Sequence, residues 1–317
     1  MSSAIVLIGA GASVDAGMPL VAKLTKELRT QLPNVRDMNG RQRPEFAELF
    51  DAIAEYEPAI RENYERFFEW LTFILRAQTG TFSKMAKLRI DRRLVDAVPY
   101  LVWSIKRPIW EILRSRHQCE RYEPHYYARL RALLPPKGRL KVFTTNYDLC
   151  VEDACRLDGL DVITGFQAGT GRWCPSLLRS HTQGISLYKL HGSLNWGLKE
   201  LGPANPLNRP LVERYPPDWR IEPELVLGPG SKLQPEEPFV TLYAAFHQAL
   251  RRAKSCVVIG CSFQDPHIEE PLRKASLRGM RVIDVNPSPS VRFDRYASIP
   301  MGAKKALESD TILKAVS

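Results

Sequence analysis

Several short segments of this chain carry side chains whose types and spacing could do chemistry. The first is Gly9-Ala10-Gly11-Ala12-Ser13, which follows the apolar run Ile5 to Ile8. Small residues there let backbone N–H groups approach a pyrophosphate, and a helix beginning just after would add its positive end. The match to G-x-G-x-x-G is incomplete, because Val14 stands where the third glycine would be. No acidic residue closes a second strand about twenty positions on, which argues against the ribose contact of a common dehydrogenase. The second segment, Thr144-Thr145-Asn146-Tyr147-Asp148, sets an amide and a carboxylate two residues apart. The third, Leu190-His191-Gly192-Ser193, offers an imidazole, a group whose ordinary pKa of about 6.5 suits proton transfer at neutral pH. Gly260-Cys261-Ser262 and Val285-Asn286 repeat the pattern of an apolar run ending in small or polar residues.

Each segment also has a plain structural explanation. Asn146 and Asp148 could cap a helix starting near Leu149, and His191 could be a hydrogen-bonded turn residue before Gly192. Asp265, followed by Pro266, reads as the cap of the next helix and is given only that role.

Positioning these groups requires strands. Ile5 to Ile8 is short and apolar throughout, the pattern of a buried parallel strand. Further strands are expected at Leu140 to Thr144, Ser186 to Leu190, Glu224 to Leu227, Ser255 to Gly260 and Met280 to Val285. Helices are expected at about Leu20 to Gln31, Leu149 to Leu157, Phe239 to Ala253 and Pro266 to Arg278. Between the first strand and the next, apolar residues recur at three and four residue spacing from Glu45 to Gln78. Helical stretches follow at Arg92 to Arg116, broken by Pro99 and Pro108, and at Pro124 to Leu134. That is too long for a simple crossover. The fold class is therefore α/β: a Rossmann-like, mainly parallel sheet with helices on both faces and a helical insertion module after the first strand. A single domain is expected over residues 1–317, with the insertion at about 45–118. Trp70, Trp103 and Trp110 are expected in the module's core, an interface being the alternative. Residues Gly197 to Pro223 read as a long irregular loop, and 288–317 as a basic tail without clear periodicity, an arm or disorder.

The chain has 317 residues, 45 Lys and Arg against 35 Asp and Glu, and a net charge of +10. The excess favours anionic partners, yet no zinc-finger spacing or aromatic-basic signature accompanies it, so direct sequence-specific nucleic-acid binding is not expected. The N-terminal apolar run is one strand long and lacks a basic leader, so neither a signal peptide nor a membrane span is expected; the expected location is cytoplasmic. Six cysteines form no C-x-x-C pair, which speaks against a zinc ribbon and a disulfide framework alike. No metal is expected.

Taken in order, Gly9 to Ser13 with Ala16-Gly17-Met18-Pro19, Thr144 to Asp148, Leu190 to Ser193, Gly260 to Ser262 and Val285-Asn286 resemble the sirtuin superfamily. Thr-Thr-Asn-Tyr-Asp and Leu-His-Gly-Ser-Leu-Asn-Trp look like its bacterial anti-phage defence branch of NAD-hydrolysing domains. The resemblance runs from about Ala4 to Pro287. It implies NAD as substrate, with Gly9, Ala10, Gly11 and Ser13 at the diphosphate and neighbouring ribose. Asn146, Asp148 and the catalytic His191 would serve the nicotinamide end, and Gly260, Ser262 and Asn286 the adenosine half. Leu20-Val21-Ala22 stands where protein-deacylating members carry Asp-Phe-Arg, and their four zinc-binding cysteines have no counterpart. The implied activity is NAD+ glycohydrolysis to nicotinamide and ADP-ribose by an NAD-depleting effector. The alternatives are an NAD-dependent protein deacylase or ADP-ribosyltransferase, and a non-catalytic nucleotide-sensing scaffold. Implied partners are a homo-oligomer and a separate activating or sensor protein: a phage component, an Argonaute-like protein or a helicase-type ATPase.

Overall fold

The computed structural model describes residues 4–37, 39–79, 90–199, 210–218, 222–228, 234–289 and 291–316. The chain divides into two compact units, one of Met1–Met18, Arg116–Leu225 and Leu233–Ser317, the other of Pro19–Ser115 and Val226–Lys232. The second unit thus begins well before the insertion boundary expected at residue 45.

That second unit is helical: α1 (Val21–Gln31), α2 (Glu45–Tyr56), α3 (Tyr64–Thr79), α4 (Arg92–Ser104) and most of α5 (Lys106–His117). The periodicity read from Glu45 onward breaks after Tyr56, where Pro58 opens a 3-10 turn before α3. Pro99 is tolerated inside α4, while Pro108 sits in the first turn of α5, where its missing N–H has no intrahelical partner to lose. Phe50 of α2 meets Phe67 of α3 edge to face at 4.7 Å, and the Thr25 hydroxyl of α1 accepts the Tyr64 N–H at 2.9 Å. Trp110 is buried as expected, but Trp103 is 47% exposed and does not belong to the core.

The other unit is built on a seven-stranded sheet. Its strands are β1 (Ala4–Ile8), β2 (Arg139–Thr144), β3 (Val162–Ile163), β4 (Gly184–Lys189), then β8 (Ser255–Ile259), β9 (Arg281–Val285) and β10 (Tyr296–Ile299); β5 (Gly192–Leu198), β6 (Leu211–Glu213) and β7 (Glu222–Leu225) form a separate sheet. The order in the large sheet is β10-β9-β8-β1-β2-β4-β3, and every pairing in it is parallel. β1 lies at the centre, with Val6 beside Val142 on one side and Val257 on the other. Helix α6 (Cys150–Leu157) carries the chain from β2 toward the β3 edge, whereas α8 (Pro266–Leu277) carries it from β8 toward β10, following α7 (Phe239–Arg252). Right-handed crossovers running in opposite directions put their helices on opposite faces. Consistently, α7 packs with α8, and α6 packs against a 3-10 helix, His125–Leu133, that meets α9 (Ala303–Glu308). Phe143 of β2 stacks on Tyr188 of β4 at 4.6 Å and meets Phe246 of α7 at 5.1 Å.

Three sequence expectations change here. The segment Pro124 to Leu134 is 3-10 rather than α-helical. Residues 197–223 are not one loop: β5 runs to Leu198, and β6 and β7 pair antiparallel with it; residues 200–209 and 219–221 of that segment lie outside the described ones. The tail expected from residue 288 supplies the edge strand β10, α9 and α10 (Thr311–Val316), the last packing on β8, β9 and β10. Among the described residues, no helix is long and apolar enough to cross a membrane.

Asp153 of α6 ties several segments of this unit together. Its carboxylate accepts from Tyr122 and Tyr215 hydroxyls at 2.8 and 2.9 Å and lies 2.8 Å from His117 Nε2. Burial alone would raise this carboxyl, but the hydrogen bonds from His117, Tyr122 and Tyr215 hold it below the usual range. A depressed folded-state pKa contributes stability above the unfolded pKa that is lost as pH falls through the folded one. Asp153→Asn is therefore expected to destabilise by about 2 kcal/mol at pH 7, with the gap to wild type narrowing below about pH 4. Melting curves across that range check it; a gap that stays constant would contradict the assignment.

Candidate active site

The chain runs from β1 to β2 on one side and from β8 to β9 on the other, so the strand order reverses between β1 and β8, and the crevice at the carboxyl ends of these strands is where open α/β sheets bind ligands. The glycines there serve mainly to bring two main chains together. Gly9 N–H donates to Ile259 O and Gly11 N–H to Gly260 O, both at 2.9 Å. A Cβ on Gly9 would sit 2.7 Å from Gly260 O, and Gly260 itself has φ +64 with its Cβ position 2.5 Å from Gly11 C. Two amides expected to face a pyrophosphate are thus committed to the neighbouring strand's loop. The turn continues as a 3-10 helix, Ala10–Ser13, and α1 starts only at Val21. Gly17, with φ +89, reverses the chain between the two. Ala10 and Gly11 remain partly exposed, while Ala12 and Ser13 are buried.

Asn146 is drawn directly into this turn. Its side-chain amide donates to Gly9 O at 3.0 Å and to Ser13 Oγ at 3.1 Å, and its own N–H donates to Thr144 Oγ1 at 3.0 Å. Ser13 Oγ also shares a 2.8 Å hydrogen bond with Tyr127, while Tyr126 donates to Ala12 O at 2.6 Å. With the NH2 end fixed, the Asn146 Oδ1 acceptor is left buried without a hydrogen-bond partner among the described residues. A buried, unsatisfied carbonyl oxygen costs on the order of 1–3 kcal/mol, so it is a group prepared to accept from something else. Asp148 stands apart from this contact: its Oδ1 accepts the Cys150 N–H at 3.1 Å, the local capping bond that its type allows.

His191 lies at the end of the next strand. Thr144 of β2 is in register with Lys189 of β4, and Leu190 N–H donates to Thr144 O at 2.9 Å, so Asn146 and His191 each stand two residues beyond paired positions. His191 is buried, with Nε2 3.0 Å from Asp265 Oδ2. Asp265 also does what the sequence predicts, accepting the His267 N–H at 2.9 Å through Oδ1. Its contact with His191 was hidden because the cap already explained the residue. Lys189 was missed as well. It is 1% exposed, donates to Asp148 O, and pairs with Glu152 at 3.0 Å, where burial, opposed by Lys189, pushes the Glu152 carboxyl up to about 7. A lysine in an otherwise apolar strand gives no sequence signal of such a partner.

Of the residues implied for the adenosine half, Gly260 closes directly on the turn, its carbonyl accepting the Gly11 N–H. Ser262 is exposed. Asn286 donates to Cys261 O at 3.1 Å and accepts the Ser288 N–H at 3.1 Å, so its side chain braces the loop after β8. All six cysteines are thiols; burial pushes Cys150, Cys155, Cys256 and Cys261 up, which keeps them protonated and unreactive. Among the described residues, no three His, Cys, Asp or Glu side chains are grouped to hold a metal ion.

Solved structures similar to this chain include a Sir2 homologue in complex with NAD, 16% identical, with 99% of this chain and 90% of that one covered and a TM-score of 0.47. Another is a triple mutant of a Sir2 homologue with 2'-O-acetyl ADP ribose: 18% identity, 99% and 93% coverage, TM-score 0.46. A third is Sir2Tm bound to a propionylated peptide, at 13% identity, 99% and 94% coverage and TM-score 0.43. No curated protein sequence matches. The family model of the SIR2-like domain matches residues 140–308, which takes in β2 with Asn146, β4 with His191, and the β8 loop with Gly260 and Asp265. The match extends over more than half of the chain, and the protein belongs to the SIR2-like domain family.

Proposed function

We propose that this chain is an NAD+ glycohydrolase that cleaves the nicotinamide–ribose bond to nicotinamide and ADP-ribose. The observation that carries the reading is Asn146, with its NH2 tied to Gly9 and Ser13 and its buried Oδ1 acceptor unused among the described residues. In the reaction the C–N bond breaks with its electron pair passing to the nicotinamide ring, leaving positive charge on the sugar, as in glycoside hydrolysis. Water then adds its oxygen to the same carbon, and the released proton goes to a base. Asn146 Oδ1 is suited to hold the water or a ribose hydroxyl, and His191 to take the proton. Asp148 belongs to the same proposal as a group beside the carboxamide or the developing cation. Deacylation is the less supported reading, because the sequence lacks the C-x-x-C pairs of a zinc ribbon and the Asp-Phe-Arg after Pro19. NAD depletion in bacterial anti-phage defence, as a homo-oligomer or under a separate sensor protein, extends the proposal and rests on the motif forms alone.

The test incubates the purified chain with NAD and follows nicotinamide release, with and without an acetylated peptide. Release with ADP-ribose as the co-product, independent of peptide, is the expected result. Acetyl-ADP-ribose formed only when peptide is present would replace hydrolysis by deacylation.

A further inference from the structure

We propose that Asp265 is a positioning residue of this site, holding the His191 imidazole so that it can take up the proton released in the reaction. The proposal rests on the NAD-hydrolysing reading for its reaction, and on geometry for the contact itself.

Asp265 divides its two carboxylate oxygens between separate tasks. Oδ1 accepts the His267 N–H at the start of α8, and Oδ2 lies 3.0 Å from His191 Nε2. A cap uses only the first, and Ser, Thr or Asn would serve it as well. The second contact is what a full negative charge adds. It is also a contact of long reach: Asp265 follows β8 and His191 follows β4, and in the sheet β1 and β2 lie between these strands. The pair therefore spans the carboxyl ends of the two strands that carry Gly9 and Asn146. The loop that presents Asp265 is anchored rather than free. Phe263, a non-glycine residue with φ +55, is buried and meets Phe293 at 5.1 Å. A residue of that type keeps a left-handed conformation only where packing imposes it.

A carboxylate beside an imidazole restricts the ring's rotation, and it offsets the charge of the imidazolium formed when the ring accepts a proton. In the proposed hydrolysis, the proton leaves the attacking water or a ribose hydroxyl for His191, and the new positive charge is matched by Asp265. NAD binding makes no such demand, so the residue acts on turnover rather than on affinity.

Asp265→Asn tests this, since asparagine keeps the cap and removes the charge. Melting temperature is expected to stay within about 2 °C of wild type. The kcat for nicotinamide release is expected to fall about a hundredfold, with KM changed less than about twofold. A second readout needs no NAD: the imidazole nitrogen-15 resonances of His191, assigned by their loss in His191→Gln, are expected to move in Asp265→Asn. Unmoved resonances, or wild-type kcat in Asp265→Asn, would overturn the proposal. If the resonances move but no variant, wild type included, releases nicotinamide, the hydrolase reading fails while the hold of Asp265 on His191 stands.

Discussion

Asn146→Ala is expected to lower nicotinamide release by about 10²- to 10³-fold, the largest loss of activity foreseen for any single side chain of the site. The figure is that of removing a preorganised polar group from a dry catalytic centre, and in the proposed hydrolysis Asn146 would be such a group. It is 7% exposed, and its orientation is set by two hydrogen bonds to the Gly9 to Ser13 turn. The same substitution leaves Gly9 O and Ser13 Oγ short of a donor, although Ser13 keeps Tyr127. A loss of about 1–2 kcal/mol of stability follows from that, too little to unfold the protein at 25 °C. Activity and melting temperature measured on one preparation separate the effects. Turnover within tenfold of wild type would remove Asn146 from the mechanism.

Gly260→Ala is expected to have the largest effect on stability, about 3–5 kcal/mol. A methyl group there would enter the space already held by the Gly11 carbonyl carbon and the Ala12 amide, with the backbone at φ +64. Overpacking against main chain and a left-handed conformation each cost about 1–3 kcal/mol, and neither the loop nor its neighbour has a flexible side chain end to yield. Gly138→Ala is the matched control: φ is +85, but nothing lies within 4 Å of the added carbon. Its cost should stay near 1 kcal/mol. Chemical denaturation of both variants makes the comparison, and equal losses would show that packing between the loops after β1 and β8 is not what requires glycine.

The parallel strands were the most legible part of the fold. β1 is a continuous apolar run and β8 is one after Ser255, because both faces are covered, while β2, β4 and β9 keep their apolar residues around Lys141, Ser186 and Asp284. Their helices α7 and α8 follow from ordinary periodicity. What stayed hidden depends on partners far along the chain. Gly192–Leu198 looked like a motif followed by loop, and it becomes a strand through pairing with Leu211–Glu213 and Glu222–Leu225. β10 lies at the edge of the sheet, where half-exposed residues such as Tyr296 and Ala297 do not form an apolar run. At the site, Asn146 and Ser13 were legible as residue types, and the structure adds the bond between them. The sequence also suggested a phosphate cradle of free amides, whereas Gly9 and Gly11 spend theirs on residues 259 and 260. Glycine spacing alone does not distinguish a backbone that approaches a ligand from one that approaches another backbone.

That commitment has a consequence for how the protein comes into being. During synthesis the loop that seats the glycine turn of β1 emerges about 250 residues after β1 itself. At about 5–20 residues per second, this is a delay of roughly 10–50 seconds. Throughout that interval the Gly9 to Ser13 turn has no Gly260 to close against, and Asn146 has no fixed turn to hold. The turn and the Asn146 contact that depends on it are thus completed only after Gly260 has been made.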